Sequence, residues 1–172
     1  MRKIQNPWSV PVVVQDIPET GFHIEIDAPE PARAELAALA GLRELPRVSA
    51  VFDVAHRGAG VRVTGQVSAR VGQTCVVTLE PIESDLQEPV DLVFAPIAAA
   101  AMQTEVDADD ELSEPLVDGK VDVGAIATEF LFLGIDPYPR KAGAEFAPPK
   151  ADNGEARPFA GLEALKKRLR GG

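Results

Sequence analysis

Val61, Val63, Gly65, Val67, Ala69 and Val71 alternate with Arg62, Thr64, Gln66, Ser68 and Arg70, and this run restricts the fold more than any other feature of the chain. In a helix, residues two apart point to nearly opposite sides, so such a set would be scattered around the axis. In a strand they line one face. The run therefore predicts a long strand with one dry and one wet face. A sheet that is wet on one side is normally antiparallel, because parallel sheets are covered on both. Upstream, Val48, Ala50, Phe52 and Val54 repeat the pattern, and "RGAG" at 57–60 supplies the turn of a hairpin.

The alternation runs on through "TCVVTLEP", 74–81, where Cys75, Val77 and Leu79 face one way and Thr74, Val76 and Thr78 the other. Residues 74–79 are thus expected as strand, with Cys75 a small buried hydrophobe. After a proline-marked bend, Val90, Leu92 and Phe94 alternate again, and Val10–Val14 and Phe22–Ile26 read as short strands around a "PETG" turn. Helical signals are fewer. In "DAPEPARAELAALAGL", Asp27 and Glu30 have capping-box spacing, Leu36, Leu39 and Ala40 share a face, and Gly41 is a stop. Asp122 caps a second segment, in which Ile126, Phe130 and Leu133 form the stripe, after a turn at Asp118-Gly119. A third, "PFAGLEALKKRLRGG", carries Phe159, Leu162, Leu165 and Leu169 and ends in basic residues. The expectation is an α+β fold, a strongly twisted antiparallel sheet curled towards a barrel, with two or three peripheral helices. Residues 1–147 would form one domain, and 148–172 a proline-rich linker with a basic amphipathic helix.

The 172 residues suffice for one good core, and aromatics at 5 % leave it to Val, Ala, Leu and Ile. A single cysteine excludes an intrachain disulfide and fits a reducing compartment. Pro7 and Pro11 interrupt the start before any apolar stretch of signal-peptide type forms. No apolar run approaches the roughly 20 residues that span a bilayer. The reading is a cytoplasmic protein without a membrane contact.

Net charge is −10, which opposes non-specific binding to phosphates by the body as a whole. Residues 105–118 hold Glu105, Asp107, Asp109, Asp110, Glu111, Glu114 and Asp118 without a basic residue, and a mobile solvated loop is expected there. Arg157, Lys166, Lys167, Arg168 and Arg170 concentrate positive charge near the end. Complementation of the helix dipole explains that cluster, and a local RNA contact is the other reading. Trp8 and Tyr138, each beside prolines, read as packing anchors rather than base-stacking platforms.

Enzyme chemistry finds little support. A reactive cysteine needs a cationic or basic neighbour, and His23 and His56 sit on different expected strands. Three Cys and His residues, scattered, do not make a zinc site, and the acidic run lacks calcium-loop spacing. "RGAGVRVTG" is better explained by hairpin turns than by a phosphate loop, since no helix follows it. No catalytic residue, metal or cofactor is expected.

Three stretches in this order resemble the YceD family, the large ribosomal RNA subunit accumulation proteins. They are "CVVTLEP" at 75–81, "VDVGAIATEFLFLGIDPYPRKAGAEF" at 121–146 and "RPFAGLEALKKRL" at 157–169; "NPWSVPV" is similar to the entry of alphaproteobacterial members. Cys75, Thr78, Glu80 and Pro81 occupy the family motif. Many relatives carry Cys-x-Arg-Cys there, whereas this chain has Thr78 for the second cysteine and Val77 for the arginine. The partners that a metal, redox or arginine role would need are thus missing.

The resemblance implies a non-enzymatic role in accumulating large-subunit ribosomal RNA and assembling the large subunit, with a ribosomal protein or the pre-ribosomal subunit as partner. Candidate protein contacts are Asp107, Asp109, Asp110, Glu111, Asp136, Tyr138 and Arg140. Candidate RNA contacts are Arg157, Lys166, Lys167, Arg168 and Arg170, joined by Arg62 and Arg70 on the wet sheet face. The alternatives are an acidic protein-binding module unrelated to ribosomes and a small cysteine-dependent enzyme.

Overall fold

In the computed structural model, which describes residues 6–96, 113–146 and Lys166, the two most regular runs of the sequence form the centre of a sheet. Strand β3 (Glu44–Arg57) and strand β4 (Gly60–Thr74) are antiparallel, with Val48 opposite Ala69, Ala50 opposite Val67, Phe52 opposite Gly65 and Val54 opposite Val63. These eight positions share one face. Gly65 is required by its partner: a Cβ there would lie 2.0 Å from the Val51 carbonyl oxygen and 2.9 Å from the Phe52 ring.

Around this pair lie β1 (Pro11–Val13), a 3-10 turn (Val14–Asp16), β2 (Phe22–Asp27), α1 (Glu30–Ala40), β5 (Pro81–Pro96), β6 (Ser113–Leu116), β7 (Lys120–Asp122) and α2 (Val123–Gly134). The main sheet has the order β2-β3-β4-β5-β6, and β1 pairs separately with β7. All pairs are antiparallel except β5 with β6. The class is α+β, with two helices among the described residues. The expected curl towards a barrel does not go to closure: the order ends at β2 and β6, which do not pair with each other. The parallel β6 also makes the sheet mixed rather than purely antiparallel.

The helices cover the dry face. Ala32, Leu36 and Ala37 of α1 and Val123, Ile126, Ala127 and Leu131 of α2 join Val48, Phe52, Val63 and Val67 in one buried cluster. Gly41 ends α1 in the left-handed region (φ 65), its N–H reaching the Ala37 and Ala38 carbonyls. Asp27 is not the cap: it lies in β2, and Pro29 precedes the helix with no side-chain cap. Asp122 does cap α2, accepting from Ala125 N–H at 3.0 Å, and it also accepts from Val10 N–H at 2.8 Å and from the Ser9 hydroxyl. One carboxylate thus satisfies a helix start and ties the N-terminal segment across it. Trp8 is buried beside that crossing, as an anchor should be; a Cβ on Gly124 would lie 2.7 Å from its carbonyl oxygen.

Other expectations fail for topological reasons. Residues 10–14 and 22–26 do not pair with each other, because β1 joins β7 and β2 joins β3. Asp118 (φ 53) and Gly119 (φ 66) form the expected turn; β6 before it is the edge strand of the main sheet, and β7 after it pairs with β1, so the two do not make a hairpin. Leu39 and Leu133 point away from the core, at 56 % and 75 % exposed. In α2 the buried side instead runs through Val123, Ile126, Ala127 and Leu131.

Candidate site: a turn tied to the exit of the second helix

The stretch 75–80 is not strand. β4 ends at Thr74, β5 starts at Pro81, and these two residues face each other across a six-residue turn. Cys75 N–H donates to the Glu80 carbonyl at 2.9 Å and Leu79 N–H to the Cys75 carbonyl at 3.0 Å. Leu79 has φ 61, a region that a branched aliphatic residue rarely enters, and its side chain is 75 % exposed. A leucine strained and solvated at once gains nothing from the fold, which directs attention to what it presents. Nothing in the alternation of residue types distinguishes this turn from a strand.

Sixty residues on, the chain leaving α2 folds onto the turn. Val76 N–H donates to the Pro139 carbonyl at 2.9 Å, and Gln73 Nε2 donates to the Asp136 carbonyl at 2.8 Å. Lys141 N–H reaches Cys75 Sγ at 3.3 Å, and Lys141 Nζ reaches Glu80 Oε2 at 2.9 Å. Asp136 Oδ1 accepts from Tyr138 N–H at 2.8 Å, which fixes the proline-flanked bend locally. The segment from Asp136 to Lys141 is therefore held at four points.

Cys75 is fully buried, so it fills the space of a small hydrophobe as expected, but in a turn instead of a strand. Its sulfur also accepts from Thr78 N–H at 3.4 Å. Donation from the Lys141 main chain, then from the Thr78 hydroxyl and N–H, pushes the thiol down to about 6. Thr78 thus supports the sulfur by hydrogen bonding. Neither histidine is bonded to it: His23 Nδ1 pairs with Asp53 Oδ1 at 2.8 Å, and His56 Nε2 lies 2.9 Å from the Ile17 carbonyl oxygen. Asp53, with Glu25, holds the exposed His23 above the ordinary imidazole range. Glu80 lies below the usual carboxylate range, chiefly through its hydrogen bond from Lys141.

The structure brings Cys75, Thr78, Glu80 and Pro81 together with Asp136, Tyr138 and Arg140, two groups that the sequence could name only separately. Tyr138 is 71 % exposed, so it is presented at the surface and is not the packing anchor expected of it. With Val76 and Leu79 it lies on the stitched segments, Pro139 being buried beneath. Sequence reasoning missed Gln73 and Leu79. Gln73 had a signal, a polar residue at a dry-face position; Leu79 had none.

Arg62 and Arg70 are engaged on the wet face, Arg62 Nε with Asp91 Oδ1 at 2.7 Å and Arg70 Nε with Glu83 Oε2 at 2.8 Å. Their charge is locally balanced, which weakens them as phosphate contacts. Asp107, Asp109, Asp110 and Glu111 lie outside the described residues, as do Arg157, Lys167, Arg168 and Arg170; Lys166 is helical and exposed. Among the described residues no group of three or more metal-binding side chains occurs, and no helix is long and apolar enough to cross a membrane.

A family model described as "Large ribosomal RNA subunit accumulation protein YceD" matches residues 63–166, a span that includes most of β4, all of β5, the turn and the exit segment. Neither a curated protein nor a solved structure matches the chain.

Proposed function

Because the chain belongs to the YceD family, the large ribosomal RNA subunit accumulation proteins, we propose that it promotes accumulation of large-subunit ribosomal RNA, and assembly of that subunit, by contacting a basic protein partner. The family match carries the reading, and it covers the two segments that the hydrogen bonds to Cys75, Val76 and Glu80 join into one surface. That surface holds Val76, Leu79, Tyr138 and Arg140 in fixed relation. An exposed aromatic and two exposed aliphatics on a rigid base suit a protein contact, where such residues act as anchors. The net charge of −10 favours encounter with a basic partner over bare RNA.

Direct RNA binding is the weaker reading. Arg62 and Arg70 are bridged to carboxylates, which leaves the C-terminal cluster to carry it. It requires an affinity that falls steeply with salt.

The test is the ratio of large- to small-subunit ribosomal RNA in source cells depleted of the protein, with add-back of the intact chain. The expected result is a selective fall in the large-subunit RNA, restored by add-back. An unchanged ratio overturns the reading.

A further inference from the structure

We infer that the outer edge of β5, from Pro81 to Asp91, accepts an extended segment of a partner protein as an additional strand, and that this segment alternates basic with apolar side chains. The inference rests on the proposed protein contact and identifies how that contact is made.

Among the described residues the edge is open. β5 is paired along its length with β4, but β6 covers only Val93–Pro96 on the other side. Cys75 N–H to Glu80 carbonyl, in register with Thr74 opposite Pro81, assigns the even-numbered residues of β5 to the β4 ladder. The odd-numbered ones therefore turn their main-chain groups outwards. Pro81 and Pro89 both fall in the outward set, where a missing N–H costs the β4 ladder nothing. They bracket Glu83, Asp85 and Gln87, whose N–H and C=O groups form a row that no other described main-chain segment bonds. All three residues are exposed.

Side-chain chemistry specifies the occupant. On the wet face, Glu83 and Asp91 are bridged to Arg70 and Arg62; Asp85, opposite Arg70, attracts the same guanidinium without an ion pair of its own among the described residues, so two carboxylates share one cation there. Towards the other face, a groove of about 370 Å³ runs beside β5, where apolar Ile82, Leu86 and Pro139 lie among polar side chains that include Asp85, Glu88 and Arg140. An added strand sends alternate side chains to the two faces. One set would meet Asp85 beside Glu83, which favours Lys or Arg; the other would lie over Ile82, Leu86 and Pro139, which accept a short apolar group within an otherwise polar groove. A second copy of this chain is a poor occupant, because pairing two such edges sets carboxylates against carboxylates. Strand addition of this kind draws affinity from the main chain and specificity from the alternate pockets.

The probe is a labelled peptide alternating Lys and Val, titrated into the full chain and into two variants. Asp85→Asn removes the charge alone; Asp85→Pro also removes the central outward N–H and leaves the β4 ladder intact. The charge change should weaken binding by about threefold, and the proline by about tenfold beyond that. Equal affinities for the two variants would overturn strand addition. Amide exchange of the unmodified chain gives an independent reading that no variant can spoil. Glu83, Asp85 and Gln87 should exchange rapidly in the free protein and become protected with the peptide. Protection already present in the free protein would mean that this chain or a second copy occupies the edge, and would overturn the inference. The ribosomal reading fails separately, in the depletion assay, without altering either peptide result.

Discussion

The two turns that flank β4 are built on opposite principles. At Arg57–Gly60 a short turn closes on itself: Gly58 takes φ 59 with nothing within 4 Å of where its Cβ would be, and Gly60 passes close to β5. At Cys75–Glu80 the turn is longer and has no glycine, and the exit of α2 holds it through main-chain bonds to Val76 and Cys75 Sγ. The first meets a local demand with the residue best suited to it. The second carries local strain at Leu79 that distant contacts maintain. A turn of that second kind is where a surface for another molecule is expected.

Substitutions can separate the two designs. The largest effect belongs to the first turn: Gly60→Ala would place a Cβ 1.8 Å from the Phe94 carbonyl oxygen. A loss of about 3 kcal/mol or more in urea unfolding is expected. A wild-type midpoint would mean that β5 can withdraw there. Next comes the tie beneath the second turn. Gln73→Ala removes the donor to the Asp136 carbonyl, and a loss of about 1–2 kcal/mol should accompany faster amide exchange at Tyr138 and Lys141. Stability lost without that local change would locate the role of Gln73 in packing.

Glycine exchange at the two turns should then give unequal signs. Gly58→Ala introduces a side chain at positive φ and should cost about 1 kcal/mol. Leu79→Gly relieves the same strain and gives up little buried area, so stability should stay within about 1 kcal/mol of wild type or rise. A larger loss would show Leu79 to be a packing residue.

A further effect appears only when pH is varied. The folded thiol of Cys75 titrates at about 6, against ~8.5 for an unfolded cysteine. The folded state therefore holds its proton less tightly. The contribution is complete above the unfolded value, shrinks as pH falls through the interval, and is gone below the folded value. Wild type should gain stability over Cys75→Ser as pH rises from about 6 to about 9, with thiolate absorbance appearing early in that range. A thiol that titrates at its ordinary value would mean that Lys141 and Thr78 do not hold the sulfur.

The comparison also locates what was legible in the sequence. Alternation at Val48–Val54 and Val61–Val71 gave the central hairpin and its buried face, since each apolar position reports its own environment. Asp122 and Gly41 were readable as helix ends for the same local reason. The Cys75–Glu80 turn was not, because its residue types continue the alternation while its conformation is set from residues 136–141. Pairing of β1 with β7 and of β5 with β6 escaped likewise, as partner choice among short strands is decided by tertiary contacts. Of the candidate site, Cys75, Thr78, Glu80, Asp136, Tyr138 and Arg140 were named from motif resemblance. Their adjacency, and the open edge beside them, came only with the fold.

The central claim is that the surface built on the second turn carries the cellular role. The direct measurement is the large- to small-subunit ribosomal RNA ratio in depleted cells given back a chain carrying Leu79→Gly and Tyr138→Ser, two exposed positions whose loss leaves the core intact. The variant should fold and melt close to wild type yet fail to restore the ratio that the intact chain restores. Full restoration by the variant would contradict the account.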